Sequence, residues 1–389
     1  MSNLKNSIRG IYHQAVPLST RLKLRDFRLR ILGKSLYIEI ASSEEKDNFH
    51  LNNPLEAQSQ TEVLTTFPLP TVAGPNFQAA VKERYQKQNI SPDHPMYETW
   101  FNYTMQTNER GAEAVRVISS YMDIAGKRHL DIGCAYAGTV VAFAHAGASS
   151  IGIELSRYLL ELGKINVSDY PRLSVKLLEG DILNPSIYEG LGTFDIITCE
   201  NVIEHVESVK VFLDTLATLL KEEGVCHLNI PNPFSYGEVL KDGHYGLFGL
   251  TLLDRPRAVD YFRSSGNKGD YGVGEYCYSF EDYLSLFHSV KIELELLNPP
   301  LASESIINDL SRSISGLQPE FDSTVAKGMI PEDLQADVHA ALNRYLNSFE
   351  YNYQRYLQST GEYRHLLGHR LLRKYSQEGW SVIAFKSLS

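Results

Sequence analysis

Long apolar runs are missing from this 389-residue sequence: no stretch approaches eighteen uninterrupted apolar residues, and none has the pattern of a membrane-spanning helix. A short apolar core before small residues is also missing at the N-terminus, where charges are scattered, so the expected location is the cytoplasm. Cysteine is sparse. Cys134, Cys199, Cys226 and Cys277 are far apart and form no C-x-x-C pair, which argues against a disulfide framework and a zinc knuckle. Three of the four fall inside apolar runs that read as buried strands. Positive charge is also in deficit, with 37 Lys and Arg against 47 Asp and Glu and a formal net charge of −10, so the whole-chain balance gives no reason to expect a nucleic-acid partner.

The balance is uneven along the chain. Residues 1–34 hold Lys5, Arg9, Arg21, Lys23, Arg25, Arg28, Arg30 and Lys34 against Asp26 alone; this net +7 leaves −17 on the remainder. Such a leader suits weak contact with a membrane or another anionic surface, or forms a solvated helix face packed on the domain. Residues 1–110 read as an N-terminal extension, with a short alternating run at Ser35–Ile40 and a breaker-rich stretch at Pro68–Pro75.

From about Asn108 the pattern becomes regular. Ala112, Val115 and Ile118 recur at helical spacing, and strands then alternate with helices. The strands are Arg128–Cys134, Ser149–Glu154, Leu173–Glu179, Phe194–Glu200 and Val225–Ile230; the helices between them are Thr139–His145, Arg157–Val167 and Val209–Lys221. Strands joined by single helices give a parallel sheet covered on both faces, so residues 111–389 are expected to form a doubly wound α/β domain. Two later strands, Val290–Leu297 and Trp380–Lys386, are expected to be sheet neighbours. Segments 233–278 and 301–375 are then insertions placed to form an acceptor pocket or lid.

Ligands of such a sheet sit beyond the carboxyl ends of the strands, where strand order reverses. Asp131, Gly133, Ala135 and Gly138 lie where the first strand turns into the first helix, and glycine lets backbone approach a ligand where a Cβ would collide. Glu154 ends the second strand, where a carboxylate can accept from both hydroxyls of a ribose, or be a solvated strand end. Asp181 follows the third, where it can accept from an adenine amine beside the Ile182 amide, or merely form a turn. Glu200 and Asn201 end the fourth.

The segments LDIGCAYAG, GIELS, EGDIL, FDIITCENVIEHV and GVCHLNIPN resemble, in order and spacing, the successive motifs of the class I S-adenosylmethionine (SAM) dependent methyltransferases. The resemblance covers about residues 112–232. It implies that SAM is the cofactor, that Asp131 and the glycines flank its methionine part, that Glu154 binds ribose, and that Asp181 with Ile182 reads adenine. A nicotinamide dehydrogenase shares the sheet, but its G-x-G-x-x-G fingerprint is broken here by Ala135.

Methyl transfer to a hydroxyl requires a proton acceptor, and histidine serves near neutral pH. His205, after the fourth strand, and His244, in the insertion after the fifth, are the candidate bases, with Glu204 beside them. ENVIEHV resembles the E-x-x-E-H metal-binding pattern of ubiquinone-pathway and small-RNA methyltransferases. Asn201 stands at the first ligand position, however, and the sequence is read as metal-free. Asn232, Tyr236 and Tyr245 are candidate acceptor-binding residues. The leader and HYGLFGLTLL resemble bacterial methyltransferases of surface-polysaccharide assembly, which implies a sugar or other small polyhydroxylated acceptor. The alternatives are methylation of a natural product or quinone-like precursor, and a non-catalytic binding scaffold.

Overall fold

The computed structural model describes residues 69–93, 97–267, 271–274 and 278–387. The basic leader, the Ser35–Ile40 run and Cys277 lie outside the described residues. Among the described residues seven strands form one sheet in the order β3-β2-β1-β4-β5-β7-β6: β1 Arg128–Ile132, β2 Ser149–Glu154, β3 Val175–Glu179, β4 Phe194–Glu200, β5 Leu220–Pro231, β6 Ile292–Leu296 and β7 Gly379–Lys386. The first five pair in parallel, whereas β7 runs antiparallel to both β5 and β6. Strand order reverses between β1 and β4, so the crevice beyond their carboxyl ends is the expected ligand position.

Among the described residues three helices precede β1: α1 Pro75–Lys87, α2 Tyr97–Met105 and α3 Thr107–Ser119. Next come α4 Gly138–His145, α5 Arg157–Ser168 and α6 Val209–Leu219 between strands; α7 Arg255–Ser264 and α8 Phe280–Ser289 after β5; and α9 Glu304–Ser315, α10 Leu317–Ala326, α11 Gln335–Gln358 and α12 Gly361–Tyr375 between β6 and β7. Several starts are fixed by side-chain caps. Ser156 and Ser208 accept from the amides of Leu159 and Val211, and Ser279 with Asp282 forms a reciprocal capping box on α8.

Alternation along the strands sends two sets of side chains to opposite faces. Leu130, Ile132, Ile197, Leu228 and Val382 pack under α6 and α8, where Phe212, Leu216, Tyr283 and Phe287 are buried. On the other face Ile196, Val225 and Ile383 meet Val115 and Ile118 of α3 and Phe143 of α4. α3 therefore completes the sheet's second face, and only its first residues, Thr107–Arg110, come from the stretch read as an N-terminal extension. α1 packs through Phe77 and Val81 near Leu162 of α5.

The two insertions share a second core. Val239, Phe248, Leu250 and Tyr261 from the first pack with Ile307, Leu317, Val338, Leu342, Phe349 and Tyr375 from the second. No helix among the described residues is long and apolar enough to cross a membrane.

Candidate active site

Between β1 and α4 the chain makes a tight loop in which Gly133, Ala135 and Ala137 have φ of 70°, 43° and 59°. Left-handed backbone is cheap for glycine and costs an alanine roughly 1–2 kcal/mol, a strain that tends to persist at functional sites. Glu154 holds this loop: its carboxylate, buried, accepts from the amides of Ala135 at 2.9 Å and Ser156 at 2.7 Å. Each oxygen keeps a lone pair for a further donor. Glu154 therefore orders the loop, and the ribose contact expected from sequence would use its remaining lone pairs.

The glycines also serve the fold: a Cβ on Gly133 would strike Val202, and one on Gly138 would strike the backbone of Thr107, so at both positions protein itself needs the space a side chain would take. α3 consequently covers the N-terminus of α4, where a dinucleotide fold seats its pyrophosphate. This is a second reason, beyond Ala135, to set the dehydrogenase aside.

Asp131 is buried and accepts from the Thr198 hydroxyl at 2.6 Å. Burial, with Glu200 and Glu154 nearby, holds its carboxyl well above the usual carboxylate range despite that bond. Asp181 is exposed, its Oδ1 accepting from the Leu183 amide at 2.8 Å, while the Ile182 side chain turns into the core. Burial pushes Glu200 up to about 7, opposed by the charge of Arg110. Asn201, at φ 53°, donates from Nδ2 to the Tyr103 hydroxyl at 3.3 Å. Arg110 stacks 3.7 Å over the Tyr103 ring and donates to the Tyr103 carbonyl. Sequence reading misses Tyr103 and Arg110 because neither ends a strand. The one signal is a cation in the helix leading into β1.

The structure brings Glu204, His205 and His244 together: one ligand-type atom from each lies within 4.8 Å of the others. The imidazoles meet edge to face at 5.2 Å, and His205 Nε2 lies 3.7 Å from Glu204 Oε1. A backbone strap fixes this cluster, with Gly274 N donating to the Glu204 carbonyl at 2.6 Å and His205 Nδ1 2.7 Å from the Gly272 carbonyl. Glu204 is 1% exposed and its Oε2 has no hydrogen-bond partner among the described residues. Burial raises its carboxyl to about 8. It also lowers both imidazoles, His244 to about 4 with help from His205.

Asn232 is corrected from acceptor contact to structural lock. It is fully buried; its Nδ2 donates to the carbonyls of Arg373, Lys374 and Gln377, and its Oδ1 accepts from Phe234 N, leaving no polar atom for an acceptor. Tyr245 accepts from Gly272 N at 3.0 Å and packs on Phe262 and Tyr271, so it shapes the strap beside His205. Tyr236 begins a short helix, Tyr236–Leu240, and packs against the second core.

Residues 130–226 match the methyltransferase domain family. The chain carries a class I SAM-dependent methyltransferase domain. Among curated proteins it is similar to the ubiquinone biosynthesis O-methyltransferases of Psychrobacter cryohalolentis, at 28% identity over 42% of this chain and 62% of that protein, and of Schizosaccharomyces pombe (mitochondrial), at 33% over 26% and 36%. The chain thus spans roughly half the length of the curated relatives it matches. Among solved structures it aligns with PKMT2 from Rickettsia typhi (TM-score 0.40, 15% identity, 72% of this chain and 53% of that one) and with a SAH-bound magnesium protoporphyrin IX methyltransferase from Synechocystis (0.35, 14%, 56% and 87%). SAM is the cofactor of this domain, and the residues at the strand ends fit it: a buried carboxylate after β2, an exposed one after β3, and a glycine loop after β1.

Proposed function

We propose that the protein transfers a methyl group from SAM to a hydroxyl of a small quinone-like precursor, with Glu204, His205 and His244 handling the acceptor's proton. The relatives named for ubiquinone biosynthesis support this acceptor class ahead of the sugar read from sequence, which gains no support from them. The observation that carries the reading is the Glu204–His205–His244 cluster at the end of β4, strapped by the segment that follows β5. SAM is already an activated electrophile, so the protein's task is to align acceptor oxygen, methyl carbon and sulfur. Burial keeps both imidazoles neutral at pH 7, as a proton acceptor must be.

Beside the strap lies a cavity of about 350 Å³ whose walls are mostly apolar, Leu250, Leu253, Ala258, Tyr271, Val273 and Tyr278, with Thr251, Asp254 and Arg255 also lining it. Its apolar, aromatic walls suit a ring or short hydrocarbon better than a sugar.

A second reading is favoured by the unpartnered Glu204 oxygen. One carboxylate and two neutral imidazoles make a donor set for a borderline divalent cation of the zinc, iron or manganese kind, better than for magnesium. A cation held there would acidify the acceptor hydroxyl. Chelation separates the two readings. Transfer of labelled methyl to a catechol acceptor is expected to persist after exhaustive EDTA treatment, with the imidazoles as base; loss that a divalent cation restores would contradict this and make Glu204, His205 and His244 ligands.

A further inference from the structure

Beneath the cofactor loop runs a chain of buried polar groups with no part in the chemistry above. Ser150 of β2, His129 of β1, Thr198 of β4 and Asp131 of β1 are 2%, 0%, 0% and 3% exposed. Register puts them together: His129 pairs with Ser150 across β1 and β2, and Asp131 with Thr198 across β1 and β4, all on one face of the sheet. His129 Nδ1 lies 2.6 Å from Ser150 Oγ, its Nε2 lies 2.8 Å from Thr198 Oγ1, and Thr198 donates to Asp131 Oδ1 at 2.6 Å.

The direction of the chain follows from the hydrogen inventory. A threonine hydroxyl has one hydrogen, which Thr198 gives to Asp131 Oδ1, so it accepts from His129 Nε2–H. Neutral His129 therefore accepts at Nδ1 from the Ser150 hydroxyl. Burial supplies the neutrality, lowering the imidazole to about 3. Phe143 stacks on the ring at 3.9 Å between centroids and fixes its plane. Every donor of the chain thus points toward Asp131. Apolar residues of similar shape would satisfy this part of the core at little or no cost in stability, so the polar chain calls for a role other than packing.

We propose that His129 is a positioning residue for the cofactor: through Thr198 it fixes the Asp131 carboxylate toward the cationic methionine end of SAM. The proposal rests on the reading that Asp131 flanks that end. With the relay intact, Thr198 has one orientation and its hydroxyl favours the ionised carboxylate. Without His129 the hydroxyl can rotate away, and burial together with Glu154 of β2 and Glu200 of β4 pushes Asp131 further toward the neutral acid, which binds a cation poorly. The buried thiols of Cys134 and, on the other face of the sheet, Cys199 feel this carboxyl's charge and are themselves pushed up by burial, so they stay neutral.

The test is SAM affinity by calorimetry between pH 6 and 9 on the full chain, with thermal unfolding as the check on folding. Thr198→Val is expected to weaken SAM binding roughly tenfold near neutral pH, the loss of one hydrogen bond to a charged group, and to move the midpoint of the affinity profile to higher pH. Thr198→Ser, which restores the hydroxyl, should return both toward wild type. His129→Phe keeps a stacked ring and should reproduce Thr198→Val, and the double variant should be no weaker than Thr198→Val alone. Should His129→Phe fail to fold, the Thr198→Val and Thr198→Ser pair decides. Wild-type affinity and pH profile in Thr198→Val or in folded His129→Phe, while Asp131→Asn is weakened, would overturn the relay. Unchanged affinity in Asp131→Asn would instead overturn the reading of Asp131 beneath it.

Discussion

Glu154 ties the loop after β1 and, in the proposed SAM site, also accepts from the ribose, so its substitution touches both roles. Its oxygens accept from Ala135 N and Ser156 N, so Glu154→Ala unties the loop as well as removing the ribose contact. Glu154→Ala is expected to weaken SAM by on the order of 1 to 3 kcal/mol and to lower Tm, whereas Glu154→Gln, which keeps one acceptor oxygen, loses less of each. Unchanged SAM affinity in Glu154→Ala would refute the ribose assignment. Glu204 shows the opposite economy, a buried acid kept where the fold gains nothing. Its carboxyl is raised from the ordinary 4.5 to about 8, so the stability linked to it is fully present below pH 4.5 and is lost as pH rises through about 8. In the presence of chelator, Glu204→Gln should therefore unfold at a higher temperature than wild type, with the gap widening from pH 5 to pH 9. Across the window where only the unfolded carboxyl is ionised, the gap should grow by roughly 1.4 kcal/mol for each step of one in pH. A constant gap across that range would show that the folded Glu204 carboxyl is ionised throughout, as in the unfolded chain, and is not raised. His244→Ala should lower methyl transfer by roughly 10²-fold with SAM affinity nearly intact, as loss of a general base does. If His205→Ala alone collapses turnover, the base is His205.

Elements differ in how far their sequence declares them. The parallel strands and the helices between them are legible because apolar runs and helical periodicities alternate cleanly, and β2 and β4 have the bounds the pattern predicts. The first and fifth strands differ from the pattern at their ends. β1 stops at Ile132 because the left-handed turn begins at Gly133, and β5 begins at Leu220, so Leu220 and Lys221 belong to the strand and not to the helix read as Val209–Lys221. α3 is recognisable as a helix, but its docking is not: nothing in its own residues announces that Gly111 and Gly138 let two backbones touch. Asn232 misleads for a related reason. Its partners are the carbonyls of Arg373, Lys374 and Gln377, some 140 residues away, and no local pattern encodes them. Asn232→Ala should lower stability by about 1 to 3 kcal/mol, the desolvation cost of carbonyls left unpaired, while leaving the acceptor KM of the folded enzyme unchanged. A raised KM at full stability would return Asn232 to the acceptor pocket.

At the scale of the molecule, strand order reversing between β1 and β4 gathers Asp131, Glu154 and Glu200 at the carboxyl end of the sheet, which is why strand ends are where a cofactor set is sought in such a sequence. The acceptor side cannot be read that way. It is built where the segment after β5 straps the Glu204–His205 turn and shares a core with helices inserted before β7, contacts between residues far apart in sequence. The central claim, a SAM site at those strand ends, is tested most directly by calorimetric titration of the chain with SAM and with NAD. The account predicts saturable one-site binding of SAM, displaced by S-adenosylhomocysteine, with no heat from NAD; no binding of SAM, or binding of NAD at the same site, would contradict it.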